Sequence, residues 1–88
     1  MYYVYILQSD KDGSYYVGST GELARRLLQH NNGWSKATKS KRPWKLVYTE
    51  SFEFKRDALI RERKIKAMKS RVYIETLVLG SPPLAVPD

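Results

Sequence analysis

Cysteine is absent from all 88 residues, so no disulfide partner, thiolate metal site or cysteine nucleophile is available to this chain. Long apolar runs are absent too. The opening Met-Tyr-Tyr-Val-Tyr-Ile-Leu-Gln has no basic n-region, its apolar stretch is short for a signal peptide, and no segment is long enough to span a bilayer. A cytoplasmic protein with no membrane partner is expected. No internal repeat or low-complexity tract precedes the last few residues, and the length suits one domain near the size where a single core becomes marginal. Acidic residues are in deficit: 16 Lys and Arg face 9 Asp and Glu, a net charge of +7. Such an excess points to an anionic partner, nucleic acid (DNA or RNA) or an acidic membrane surface, over plain solubility.

The residues that are present organise around 15–30, Tyr-Tyr-Val-Gly-Ser-Thr-Gly-Glu-Leu-Ala-Arg-Arg-Leu-Leu-Gln-His. Tyr15 to Val17 favours a strand, Gly18 punctuates it, and Ser19-x-x-Glu22 reads as a capping box that starts a helix near residue 20. Helical phase puts Leu23, Ala24, Leu27 and Leu28 on one apolar stripe, with Arg26 and His30 at its margin and Arg25 pointing away. An arginine and a histidine four residues apart can act on one ligand.

Upstream, Tyr2 to Leu7 is a strand closed by the turn signal Asp12-Gly13, which predicts a hairpin between residues 2–8 and 14–18. With residue 9 facing 14, Tyr5 faces Gly18 and Leu7 faces Tyr16, leaving Tyr5 and Tyr16 as diagonal neighbours on one face. A one-residue slip would substitute Tyr15. Either tyrosine taken singly is also an ordinary half-buried strand aromatic.

Asn31-Asn32-Gly33 stops the helix. Residues 34–45 then read as a loop with five basic side chains, no acid and two tryptophans. Trp34, Lys36, Lys39, Lys41 and Arg42 are candidate nucleic-acid contacts, since cations hold phosphates and an aromatic face stacks on bases; Trp44 precedes a strand and suits the core. A third strand covers 46–49 and a second long helix runs from about Lys55 to Met68. There Glu62 sits in the inward stripe with Ala58, Leu59 and Ile65, so it needs a cationic partner such as Arg26, hydrogen-bond donors, or a metal ion. Much of the remaining surface of this helix is basic, and Arg63 and Lys66 are further candidate contacts. A short terminal helix over 72–79 follows, and residues 80–88 read as a flexible Pro-rich tail beyond a single domain of residues 1–79.

Two tyrosines, Arg26 with His30, and an inward Glu62 suit phosphodiester hydrolysis. A tyrosine near cations would have a lowered pKa and take a proton from water, and an arginine would stabilise charge on the phosphate. One carboxylate suffices for magnesium or manganese, which keep several waters and take substrate oxygens, so a single ion held weakly without DNA is expected.

Tyr3-Val4-Tyr5, Tyr16-Val17-Gly18, Arg26, His30 and Glu62 together resemble the signature of the GIY-YIG nuclease superfamily, and within it the small stand-alone proteins. The likeness extends from residue 2 to about 78. It implies an α/β (α+β) sandwich on a three-stranded antiparallel sheet flanked by helices, and one-metal cleavage of DNA, in repair or other processing. By the resemblance, Tyr5 or Tyr16 is the general base, Arg26 contacts the scissile phosphate, His30 assists, and Glu62 holds the metal. Tyr3 stands where the family's first triplet has glycine, and the asparagine that many members carry after the glutamate helix has no clear counterpart. A non-catalytic nucleic-acid-binding module on the same fold is the competing reading, and a protein-interaction domain with incidental charge a third. A monomer or weak dimer is expected, with Tyr5, Tyr16, Arg26 and Glu62 converging on one concave, electropositive surface.

Overall fold

A continuous apolar run in the first segment, buried on both faces, becomes the central strand of an antiparallel sheet whose two faces are covered by different helices. The computed structural model describes residues 1–80, in the order β1 (Tyr2–Ser9), β2 (Tyr15–Thr20), α1 (Leu23–Asn31), α2 (Lys36–Lys39), β3 (Trp44–Phe52), α3 (Lys55–Met68) and α4 (Arg71–Val78). The strand order is β2-β1-β3. The expected Pro-rich tail, Gly80 apart, lies outside the described residues.

The β1–β2 turn is tied by Ser9, whose hydroxyl oxygen accepts from the backbone N–H of Lys11 and Asp12 at 3.0 and 3.2 Å, while Gly13 takes φ 77°. Register follows, pairing Tyr5 with Gly18 and Leu7 with Tyr16. On β1 the odd residues Tyr5 and Leu7 then face one way, packing with Trp44, Tyr16, Leu23 and Leu27. Val4 and Ile6 face the other way, with Val17, Ala58 and Ile65 and the apolar side of α4. A register shift between Ile6 and Leu7 leaves Val47 as an extra residue on β3, so both Val47 and Tyr48 reach this second cluster. The result is a three-layer α+β sandwich with α1 on one face of the sheet and α3 and α4 on the other.

An ion-pair network locks the second face. Arg61 donates through Nε and Nη2 to both oxygens of Glu50 on β3 and through Nη1 to the Tyr73 hydroxyl of α4. The bidentate geometry raises the Arg61 pKa and lowers that of Glu50 against the opposing effect of burial. Arg61 thus serves the fold and is lost to the basic surface expected of α3. Arg71 is likewise engaged, by Glu75, the Gly13 carbonyl and the Tyr15 ring.

Three local expectations fail. α1 begins at Leu23 and has no side-chain cap, because Ser19 belongs to β2 and its hydroxyl is used elsewhere. The apolar stripe of α1 is rotated: Ala24 is exposed and Leu28 is 61% exposed, while His30 is fully buried. Asn31 enforces this phase by accepting from the Trp44 N–H at 2.6 Å and donating to the Trp44 carbonyl at 3.0 Å. Residues 34–45 are not all loop, since they contain α2 and the start of β3.

Candidate active site

Tyr5 sits at the centre of β1, 1% exposed, with its ring laid across Gly18 of the edge strand β2. A Cβ at Gly18 would lie 2.5 Å from the Tyr5 hydroxyl oxygen and 2.7 Å from Cζ, so close approach alone demands glycine there. A rigid ring held at its tip cannot swing clear. Gly18→Ala should therefore lower stability by about 1–3 kcal/mol and displace Tyr5, seen as a reduced midpoint in denaturant and shifted aromatic NMR signals. Unchanged melting would show that the packing yields.

The Tyr5 tip is held by His30, whose Nε2 lies 2.9 Å from the hydroxyl, and His30 Nδ1 lies 2.8 Å from the Thr38 hydroxyl on α2. The chain continues to the backbone, where the Trp44 indole N–H donates to the Thr38 carbonyl at 2.8 Å. Tyr5, His30 and Thr38 are all buried, so each polar atom depends on the next. His30 reaches no solvent, and its two ring nitrogens are taken by Tyr5 and Thr38. Nothing in the local sequence signals Thr38; it is a small polar residue in a basic stretch, and only the tertiary fold gives it His30.

Burial pushes the Tyr5 hydroxyl up to about 12, opposed by the neighbouring Arg26 guanidinium and helped by Tyr16 and Glu62. The lowered tyrosine pKa expected from nearby cations is thus not found at Tyr5. Burial, and then the Arg26 charge, bring His30 down to about 4, so the imidazole is neutral near pH 7. Tyr16 is less buried. Its ring centroid lies 6.4 Å from that of Tyr5 and 5.0 Å from that of His30.

Arg26 donates to the Gln29 side chain at 3.0 Å, and both line an open cavity of about 730 Å³ with Ser19, Thr20, Gly21 and Arg25. Glu62 comes from α3, on the other face of the sheet. Its Oε1 accepts from the Ser19 hydroxyl and its Oε2 from Lys66 Nζ, each at 2.6 Å. The partners of this inward carboxylate are therefore Lys66 and Ser19 and not Arg26. The supposed capping serine is what orients it. Arg26 comes from α1 on one face of the sheet and Glu62 from α3 on the other, and Ser19 of the edge strand β2 both borders the Arg26 cavity and holds Glu62. The expected convergence on one concave surface is not found, because the helices that carry Arg26 and Glu62 pack on opposite faces of the sheet.

A family model described as the GIY-YIG catalytic domain matches residues 1–74. The chain belongs to this family. A UPF0213 protein of Staphylococcus saprophyticus is 40% identical over 80 residues, 90% of this chain and 96% of the relative. Another, from Clostridium perfringens, is 51% identical over 69 residues, 77% of this chain and 73% of that protein. Among solved structures, the solution NMR structure of a UPF0213 protein from Bacillus halodurans matches with a TM-score of 0.56 at 40% identity, covering 89% of this chain and 83% of that one.

In this GIY-YIG domain, no group of three or more His, Cys, Asp or Glu side chains gathers to cage an ion among the described residues. Glu62, its side chain 17% exposed, is the carboxylate that Ser19 holds, while Glu22 borders the Arg26 cavity. One hard oxygen donor fits a hydrated magnesium or manganese ion that completes its shell from water and phosphate, and does not fit calcium or zinc.

The candidate nucleic-acid contacts fall in separate places. Lys36, Lys39 and Arg42 line an open cleft of about 620 Å³ with Lys11, Asn31 and Pro43. Lys41 pairs with Asp12 at 3.6 Å. Trp34 is 73% exposed just past α1, its backbone N–H donating to the Gln29 carbonyl at 3.1 Å. Arg63 is exposed on α3, whereas Lys66 is bound to Glu62. No described helix is long and apolar enough to cross a membrane.

Proposed function

We propose that this domain is a divalent-metal-dependent DNA endonuclease, acting in the cytoplasm on DNA being repaired or processed. One observation carries the reading: beside the buried Tyr5, Ser19 of the edge strand borders the cavity lined by Arg26 and donates to the Glu62 carboxylate. Arg26 binds and neutralises the scissile phosphate. Tyr16, the more accessible tyrosine, takes the proton of the attacking water as its own phenolic proton passes to solvent. Tyr5 stays protonated at neutral pH and, with His30 and Thr38 behind it, holds the β2 edge against Tyr16. Glu62 would hold the magnesium or manganese ion, which supplies Lewis-acid stabilisation of the phosphorane-like charge. Trp34 and the cations of the α2 cleft grip flanking backbone.

Incubation with branched, duplex and single-stranded DNA, and with RNA counterparts, in magnesium or manganese against a chelator tests this. Cleavage of DNA only with metal is expected. Binding that weakens steeply with salt, without cutting under any condition, would instead establish a non-catalytic nucleic-acid module. A flat dependence of log K on salt would mean that the basic residues only solubilise.

A further inference from the structure

Lys66 lies four residues after Glu62 on α3, so one helical turn delivers its ammonium to the carboxylate that the proposed function reserves for a metal ion. The contact is short, 2.6 Å to Oε2, and the opposite oxygen is already taken by the Ser19 hydroxyl at 2.6 Å. The same ammonium stands 6.0 Å from the centre of the Tyr16 ring, the proposed base. Among the described residues Glu62 belongs to no group of three or more His, Cys, Asp or Glu side chains that would strengthen the hold on an incoming cation. Half of the Lys66 side chain is exposed, at 50%, so it contributes little to packing and can leave for water at small cost.

We propose that Lys66 is an internal competitor for the divalent cation at Glu62, a tethered monovalent charge that keeps the site unloaded in the free protein. A divalent ion arriving at Oε2 must either displace the ammonium or sit beside a like charge, and both weaken binding. Tethering matters because the lysine cannot diffuse away, so its competition is independent of protein concentration. Lys66 thereby acts as a specificity-determining residue for metal loading, a role distinct from contacting the nucleic-acid backbone. The inference rests on Glu62 being the metal ligand, and its test separates the two.

The experiment is a manganese titration of the nucleic-acid-free protein, reading paramagnetic broadening of backbone amide signals around Glu62, in wild type, Lys66→Met and Glu62→Gln. Methionine keeps an unbranched stem and removes the charge, and the unbroadened spectrum reports the fold of each variant. Lys66→Met is expected to broaden at about fivefold lower manganese than wild type, as removal of one like charge at a partly exposed site implies. Glu62→Gln should show no localised broadening. Equal or weaker manganese response in Lys66→Met, with Glu62→Gln still silent, overturns the competitor role and leaves Glu62 as the ligand. Localised broadening that persists undiminished in Glu62→Gln, or is missing in both other proteins, removes the metal role of Glu62 and this inference with it.

Discussion

Glu62→Gln should yield a folded protein that still binds DNA and cuts it at least about 100-fold more slowly, the scale on which preorganised charge at a reacting phosphate acts. The amide keeps the shape of the side chain and a carbonyl oxygen for the Ser19 hydroxyl, whose bond to Oε1 spans 2.6 Å. What it loses is the negative charge that holds a hard cation. Stability should hardly change, because the other partner, Lys66, is half exposed and its ammonium returns to water; loss of such a pair costs about 0.2–1 kcal/mol. Had the carboxylate been buried against Arg26, the same change would have left an uncompensated buried cation and a large melting defect. Cleavage in magnesium with and without chelator, beside a denaturant melt, checks both halves. A variant that cuts at the wild-type rate removes the catalytic role of Glu62, and one that melts many degrees early shows that the carboxylate serves the fold.

Much of the architecture was legible because it depends on short-range rules. An Asp-Gly turn between two β-favouring runs sets the hairpin and its register, and register alone brings Tyr5 and Tyr16 to one face. The α3 boundaries and the inward phase of Glu62 follow from a regular pattern over 14 residues. The misreadings occur where a distant partner outbids a local one. Ser19 followed by Glu22 is a sound helix start by sequence, but the Ser19 hydroxyl is taken by Glu62, 43 positions away, and β2 runs on to Thr20. The α1 stripe of Leu23, Ala24, Leu27 and Leu28 is plausible by hydropathy, yet His30 and Asn31 find buried partners on Thr38, Tyr5 and Trp44 that rotate the helix. The Tyr5 pKa was misjudged for a related reason. Counting nearby cations is possible from sequence, whereas the depth of burial that outweighs them is a property of the packed sheet.

The same buried chain makes the fold sensitive to mild acid in a window that no other shifted group shares. His30 is held at about 4 in the folded protein against 6.5 ordinarily, so above pH 6.5 both states are neutral there and its full contribution is present. As the pH falls below 6.5 the unfolded chain takes up a proton that the folded one refuses, and stability drops until the folded pKa is reached. The linkage amounts to about 2 kcal/mol between pH 7 and pH 5, which for a domain of this size is a fall of about 10 °C in melting temperature. The lowered carboxylates act elsewhere: Asp12 is brought down to about 2 by its bonds from Ser14, and Glu50 also titrates below its usual 4.5, so their contributions are lost only at more acidic pH. Denaturant melts at half-unit steps from pH 7.5 to pH 4.5 should show this slope in the wild type. His30→Gln, which cannot titrate, should start less stable because an amide cannot match both the Tyr5 and Thr38 bonds, but should lose little further between pH 7 and pH 5. Parallel slopes in the two proteins would mean that His30 is protonated within the fold, with the Tyr5 and Thr38 oxygens both accepting from an imidazolium.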